Sequence, residues 1–136
     1  MSPHAPVSHD PAATVRRLFE AFHAGDLDAL LATVHPESRW TYYGANPRLA
    51  AAEFGGHEAV RRFFARILER LEMDTFDADD FVVQGDTVVV FGGEAGRVRA
   101  TGASFRNVWT QKYVVRDGLV VEMVEYNIQV EPRDQG

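Results

Sequence analysis

The chain has 136 residues, 46% of them hydrophobic and 25% charged, with a formal net charge of -6 and no cysteine. That length suits one domain around one core, and the acidic balance argues against sequence-independent binding to nucleic acid or an anionic membrane. The lack of cysteine removes disulfides, thiol catalysis and thiolate metal sites together.

Residues 1–10 carry prolines and histidines with little to bury and read as a flexible tail; 11–131 read as the domain, and 132–136 as a second tail. Met1-Ser2-Pro3-His4-Ala5-Pro6 lacks the charged and apolar regions of a signal peptide. No apolar run approaches the roughly 20 residues needed to cross a bilayer, so a soluble, cytoplasmic protein is expected. Asp10-Pro11 opens a helix with a capping side chain and a proline at its first position. Val15, Leu18, Phe19 and Phe22 give it one apolar face, and Gly25 closes it. Asp26 caps a second, shorter helix carrying Leu27, Leu30, Leu31 and Val34, which His35-Pro36 ends.

Arg39-Trp40-Thr41-Tyr42-Tyr43 is rich in β-formers, and Gly44-Ala45-Asn46-Pro47 breaks it; a loop follows to Gly55-Gly56. Val60, Phe63, Phe64, Ile67, Leu68 and Leu71 mark an amphipathic third helix over about His57 to Glu72. Four strand-like runs complete the chain: Asp74 to Val83, Thr87 to Arg99, Ala103 to Arg116 and Leu119 to Val130, separated by glycine turns. Helices first and a meander later predict an α+β fold, a cone-shaped antiparallel sheet curved around the N-terminal helices and enclosing a pocket. Gly92, Gly93 and Gly96 interrupt the second long run, where bulges or bends are expected.

Alternation assigns side chains to faces. Phe105, Asn107, Trp109, Gln111 and Tyr113 share one face, an aromatic row with two amides, which has the composition of a ligand-pocket wall. Packed core with satisfied amides is the plainer reading of the same row. Val121, Met123, Glu125 and Asn127 form one list in the last strand, and Val120, Glu122, Val124, Tyr126 and Ile128 the other. Glu94 sits beside Val88, Val89, Val90 and Phe91. Glu94 and Glu125 inside a bowl would raise each other's pKa and suit acid/base work; on solvent faces they would pair with Arg97 or Arg99. The five histidines have no metal-site spacing, and neither metal nor cofactor is expected. Arg61, Arg62, Arg66 and Arg70 read as a solvated helix face.

Several pieces in order resemble the nuclear transport factor 2-like superfamily, in particular SnoaL-like, ketosteroid isomerase-related proteins. They are Val15-Arg16-Arg17-Leu18-Phe19-Glu20-Ala21-Phe22, Ala24-Gly25-Asp26-Leu27-Asp28-Ala29-Leu30, His35-Pro36-Glu37, Gly56-His57-Glu58-Ala59-Val60, Val115-Arg116-Asp117-Gly118 and Glu125-Tyr126. The resemblance spans about Pro11 to Val130. Against the steroid isomerases it puts Leu18 at the oxyanion tyrosine, Tyr42 at the general base and Gln111 at the oxyanion aspartate, which implies that this chemistry is absent. Against limonene-epoxide-hydrolase-like relatives, Glu94 and Glu125 match the two carboxylates and Gly92 the arginine between them. Against polyketide cyclases, Glu125 is the first candidate base and Glu94 the second.

The resemblance thus implies a pocket protein acting on a small, largely apolar or carbonyl-containing ligand, with isomerase- or cyclase-type proton transfer through Glu125 and Glu94. Trp40, Tyr42, Phe63, Trp109, Tyr113 and Met123 would wall the cavity, with Asn107, Gln111 and Asn127 as its polar groups. The alternatives are a non-catalytic small-molecule-binding or dimerisation domain, and epoxide-hydrolase-like water addition. A homodimer is expected through an outer sheet face carrying Val120, Val124 and Tyr126.

Overall fold

A computed structural model of the protein describes residues 10–44 and 52–130. Apart from Asp10, the expected tails lie outside the described residues, as does the Ala45-Asn46-Pro47 part of the expected break. Helix α1 (Pro11–Ala24) starts as its sequence dictates: the Asp10 carboxylate accepts from the Ala12 N–H at 3.0 Å, and Gly25 ends it in the left-handed region at φ 68°. Helix α2 (Leu27–Leu31), capped by Asp26 on the Ala29 N–H, is shorter than its apolar pattern suggested. The Thr33 hydroxyl donates to the Leu30 carbonyl at 2.7 Å, and the Thr33 carbonyl accepts from the Val120 N–H at 2.8 Å. That pairing draws the chain into β1 (Val34–Tyr43), so Val34 is a strand residue.

A short strand, β2 (Ala52–Gly55), pairs antiparallel with β1 within the segment read as loop; four residues are too few to show a period. Helix α3 (Gly56–Arg70) passes directly into β3 (Leu71–Gln84), three residues earlier than expected. Strands β4 (Thr87–Val98), β5 (Ser104–Arg116) and β6 (Leu119–Gln129) complete the meander. The sheet order is β2-β1-β6-β5-β4-β3, and β1 runs parallel to β6 while every other pair is antiparallel. The sheet is therefore mixed, because the chain returns beside its own first strand after the whole meander. No helix among the described residues is long and apolar enough to cross a membrane.

The bends lie opposite the glycines rather than in their own strand. β4 and β5 pair without interruption from Thr87 to Arg97, whereas β3 carries extra residues at Asp74 and Asp79, across from Gly96 and Gly92. The missing side chains let β3 approach: a Cβ at Gly96 would stand 2.1 Å from the Glu72 carbonyl oxygen. β3 is also an outermost strand, and Glu72, Asp74, Asp77, Asp79 and Asp80 on it are exposed.

Residues from α1 (Val15, Leu18), α2 (Leu30) and α3 (Val60) meet Val88, Val90, Trp109 and Tyr113 in the core. Arg61, Arg62, Arg66 and Arg70 are exposed, Arg61 pairing with Asp28 and Arg62 with Glu58. Val120 belongs to this core, fully buried, and not to the outer face expected for it. An extra residue in β6, Val121, between Val120 and Glu122 reverses the alternation there. Tyr43, Phe91, Val108, Tyr126 and Ile128 are the exposed apolar residues of the outer face.

A Cβ at Gly92 would lie 2.3 Å from the Asp77 carbonyl oxygen and 2.4 Å from the benzo edge of Trp109. Gly92→Ala is therefore expected to cost about 1–3 kcal/mol by overpacking, read from urea unfolding midpoints. An unchanged midpoint would show that the indole has room to move.

Candidate functional site

Alternation on β4, β5 and β6 turns Glu94, Gln111, Tyr113, Met123, Glu125 and Asn127 toward the helices, where the faces of α1 and α3 stand off enough to leave a slot. It is narrow: the cavity volume is about 30 Å³, and about 510 Å³ only when all space between its atoms and out through the mouth is counted. Leu18, Phe19 and Phe22 of α1, Phe63, Phe64 and Ile67 of α3, and Met73 and Phe76 of β3 make most of the wall apolar. Trp40 and Tyr42 of β1 close one side, their rings set against Phe64 and Phe63 respectively.

The polar wall is one connected chain. The Tyr113 hydroxyl donates to Gln111 Oε1 at 2.6 Å, and Gln111 Nε2 donates to Glu125 Oε1 at 3.0 Å. Asn127 Nδ2 donates to Glu125 Oε2 at 2.8 Å and, less closely, to Glu94 Oε2 at 3.4 Å. Asn107 Nδ2 completes the row by donating to Glu94 Oε2 at 2.7 Å. The register dictates this order, since Gln111 stands opposite Glu125 and Glu94 opposite Asn107. Among the described residues, the buried Asn127 Oδ1 and Trp109 Nε1 have no partner, and the Tyr42 hydroxyl makes no hydrogen bond.

Among the described residues no arginine or lysine pairs with either of the two carboxylates. Burial pushes Glu125 up from an ordinary 4.5 to about 7, and the nearby Glu94 adds to the rise while the Asn127 and Gln111 amides oppose it. Burial also raises Glu94, against the hydrogen bonds from Asn107 and Asn127. Tyr42 and Tyr113 are pushed above the usual phenol range by burial, with Glu125 contributing to both, so each hydroxyl keeps its proton. Among the described residues no group of three or more His, Cys, Asp or Glu is placed to hold a metal.

Of the residues singled out in the sequence, Trp40, Tyr42, Phe63, Glu94, Gln111, Tyr113, Met123, Glu125 and Asn127 line the slot together. Asn107 and Trp109 stand behind it. Asn107 is occupied by Glu94, and Trp109 is covered by Phe76, stacked at 5.1 Å, and by Phe19 at 6.1 Å. Apart from Phe63, the wall residues of α1 (Leu18, Phe19 and Phe22) and α3 (Phe64 and Ile67) stood in the sequence only as apolar helical stripes. Met73 lay before the expected start of β3. His57 and His35 act locally: a ring nitrogen of His57 lies 2.6 Å from the Val34 carbonyl oxygen, and His35 Nδ1 accepts from the Glu37 N–H at 2.9 Å.

The SnoaL-like domain family model matches residues 15–123, and the chain belongs to that family. An NTF2-like protein from Burkholderia xenovorans LB400 is 31% identical, with a TM-score of 0.77 over 86% of this chain and 88% of that one. An NTF2-like protein from Burkholderia pseudomallei K96243 is 28% identical, with a TM-score of 0.77 over 88% and 91%. TerC, co-crystallised with polyporic acid, shares the fold at 23% identity, with a TM-score of 0.74 over 85% and 89%. No curated protein matches the chain.

The raised Glu125 carries a signed pH dependence. Between about 4.5 and 7 the folded chain holds a proton that the unfolded chain has released, so stability conferred by this group is full below 4.5 and is lost as pH rises through 7. Relative to the native chain, Glu125→Gln should gain on the order of 3 kcal/mol between pH 4 and pH 8. Denaturant unfolding across that range measures the difference; parallel curves for the two proteins would contradict the shift.

Proposed function

We propose that this SnoaL-like domain binds a small, largely apolar carbonyl compound and moves a proton on it without a cofactor, as an isomerase or cyclase does. The observation that carries the reading is Glu125, a fully buried carboxyl on the polar wall of an apolar slot, with its pKa pushed up to about 7. A base with that pKa is half ionised at neutral pH and strong enough to take a proton from carbon when the resulting charge is stabilised.

The Glu125 carboxylate removes a proton from the carbon next to the ligand's carbonyl, and the electron pair moves onto the carbonyl oxygen. The Tyr42 hydroxyl, protonated and without a hydrogen-bond partner among the described residues, donates to that oxygen. Where a double bond flanks that carbon, protonated Glu125 returns the proton at the far end of the resulting dienolate, giving isomerisation; where the ligand carries a second carbonyl, the enolate carbon attacks it and the new alkoxide takes the proton from Glu125 as the ring closes. Gln111 and Asn127 hold Glu125 in place; Gln111 and Asn107 each give one amide N–H to a carboxylate, Glu125 and Glu94 respectively, and keep a second. The co-crystallisation of TerC, a protein of the same fold, with polyporic acid supports a small-molecule ligand for this chain.

The test is deuterium exchange at the α-carbon of 2-tetralone in D₂O, followed by NMR. The native chain should accelerate it, with a rate rising through pH 7 to a plateau, and Glu125→Gln should lower it about 10²–10⁴-fold at unchanged affinity. Unchanged exchange in that variant would end the proposal.

A binding role without turnover is the second reading, favoured by a polar wall in which every amide group already donates to a carboxylate. It predicts a ligand-dependent rise in melting temperature that Trp109→Ala erases, with no exchange. Water addition to an epoxide has less support: the group between the carboxylates is the neutral Asn127 amide, and the indole of Trp109 leaves no room for a side chain at position 92.

A second copy of the chain is the proposed cover of the outer face. Phe91, Thr110, Tyr126 and Tyr43 form one row across four strands, with Val108 and Ile128 in the next, and an uncharged row on an exposed sheet is self-complementary about a two-fold axis. Sedimentation at micromolar concentration should give twice the chain mass and Tyr126→Lys a monomer; a native monomer would refute it.

A further inference from the structure

The glycine just past the end of β1 has no conformational reason to be one. The φ of Gly44 does not lie in the left-handed region, so its backbone is open to any L-residue. What keeps a side chain out is the residue two places back. A Cβ at Gly44 would stand 1.8 Å from Cε2 of Tyr42, 2.2 Å from Cζ and 2.4 Å from the hydroxyl oxygen. The tip of the Tyr42 phenol therefore occupies the space that a side chain at position 44 would fill.

Gly44 differs in this from the other crowded glycines. At Gly55, Gly92 and Gly96 the nearest atom is a backbone carbonyl oxygen, which has little freedom to move. At Gly44 the three nearest atoms all belong to the far end of the Tyr42 side chain. Added bulk there displaces the phenol first and the backbone last. Ordinary contact starts near 3.4 Å, so the ring would have to retreat by well over an ångström. Phe63, with its ring centroid 5.4 Å off, limits where it can go.

The displacement matters because of what the hydroxyl lacks. Tyr42 is buried, and a buried phenol ordinarily spends its hydroxyl on a partner, as Tyr113 does on Gln111. The Tyr42 hydroxyl has no such partner among the described residues, yet it is not sealed in: the enclosed side-chain atoms without a partner are Trp109 Nε1 and Asn127 Oδ1. Its open side is the slot that Tyr42 lines.

We infer that Gly44 is a positioning residue, whose missing side chain lets the Tyr42 hydroxyl stand where a ligand's carbonyl oxygen can accept from it. This rests on the slot being a site of proton transfer, and it adds the residue that places the donor for the developing negative charge. Gly44 acts through Tyr42 alone. A donor displaced by about an ångström loses most of its hold on that charge.

Deuterium exchange of 2-tetralone by Gly44→Ala, Tyr42→Phe and the double variant tests it. Gly44→Ala should lower the maximal rate about 10- to 100-fold, with affinity for 2-tetralone within about threefold of native and a urea midpoint close to native. Tyr42→Phe should lose at least as much. Adding Gly44→Ala to it should cost no further rate, because the hydroxyl to be displaced is already gone. A native rate in Gly44→Ala overturns the inference, as does a further loss in the double variant, which would give Gly44 an effect of its own. Collapse of the Gly44→Ala midpoint overturns it too, by making Gly44 a packing residue. A native rate in Tyr42→Phe removes the donor and this inference while Glu125 keeps its role. Absence of exchange by the native chain ends the proton-transfer reading and takes this inference with it.

Discussion

Two carboxylates share the inside of this cone with no cation among the described residues to balance them, and the remaining architecture is arranged around that fact. A charge buried without a counter-ion costs several kcal/mol, so it either pairs, gathers hydrogen bonds or takes up a proton. Both gather hydrogen bonds, and Glu125, raised to about 7, holds a proton across the mildly acidic range. Asn127 gives its amide protons to both, Gln111 and Asn107 add one donor each, and burial raises both acids despite these bonds. Neutral amides fix the carboxyls in place without a countercharge, and they leave Glu125 half ionised near neutral pH. A lysine at any of these three positions would have given a permanent ion pair and a chemically idle wall.

The geometry that delivers this is strand pairing. Opposed positions on β4, β5 and β6 set each acid beside an amide, and the even spacing of Glu125 and Asn127 turns both inward. The helices supply the other half: α1 and α3 present phenylalanines where a filled core would have carried more compact aliphatic packing, and the large rings leave the slot between them.

Much of this was legible beforehand because it depends on local periods. The caps at Asp10 and Asp26, the stripe of α1 and the alternation of β5 are short-range signals, and they hold. What sequence could not carry was register. Whether Glu125 faced in or out turned on the partner strand; the extra residue Val121 in β6 sent Val120 to the core, and the bends expected in β4 belonged to β3. The parallel pairing of β1 with β6 joins segments some eighty residues apart and leaves no trace in either alone. The role of Asn127 as the link between the acids was invisible for the same reason: it depends on three strands meeting at one point.

The outer strand β3 shows how an exposed sheet margin can be kept solitary. Unpaired backbone along fourteen residues offers a template to which any extended chain could add itself. Here the two inserted residues that bend the strand are both aspartates, Asp74 and Asp79, with Asp77 and Asp80 beside them. The kinks spoil the straight ladder a newcomer would need, and the like charges repel a second such margin. Colloidal behaviour should accordingly hinge on acidity: once these carboxylates are neutralised, fibril-like stacking through this margin loses its principal barrier.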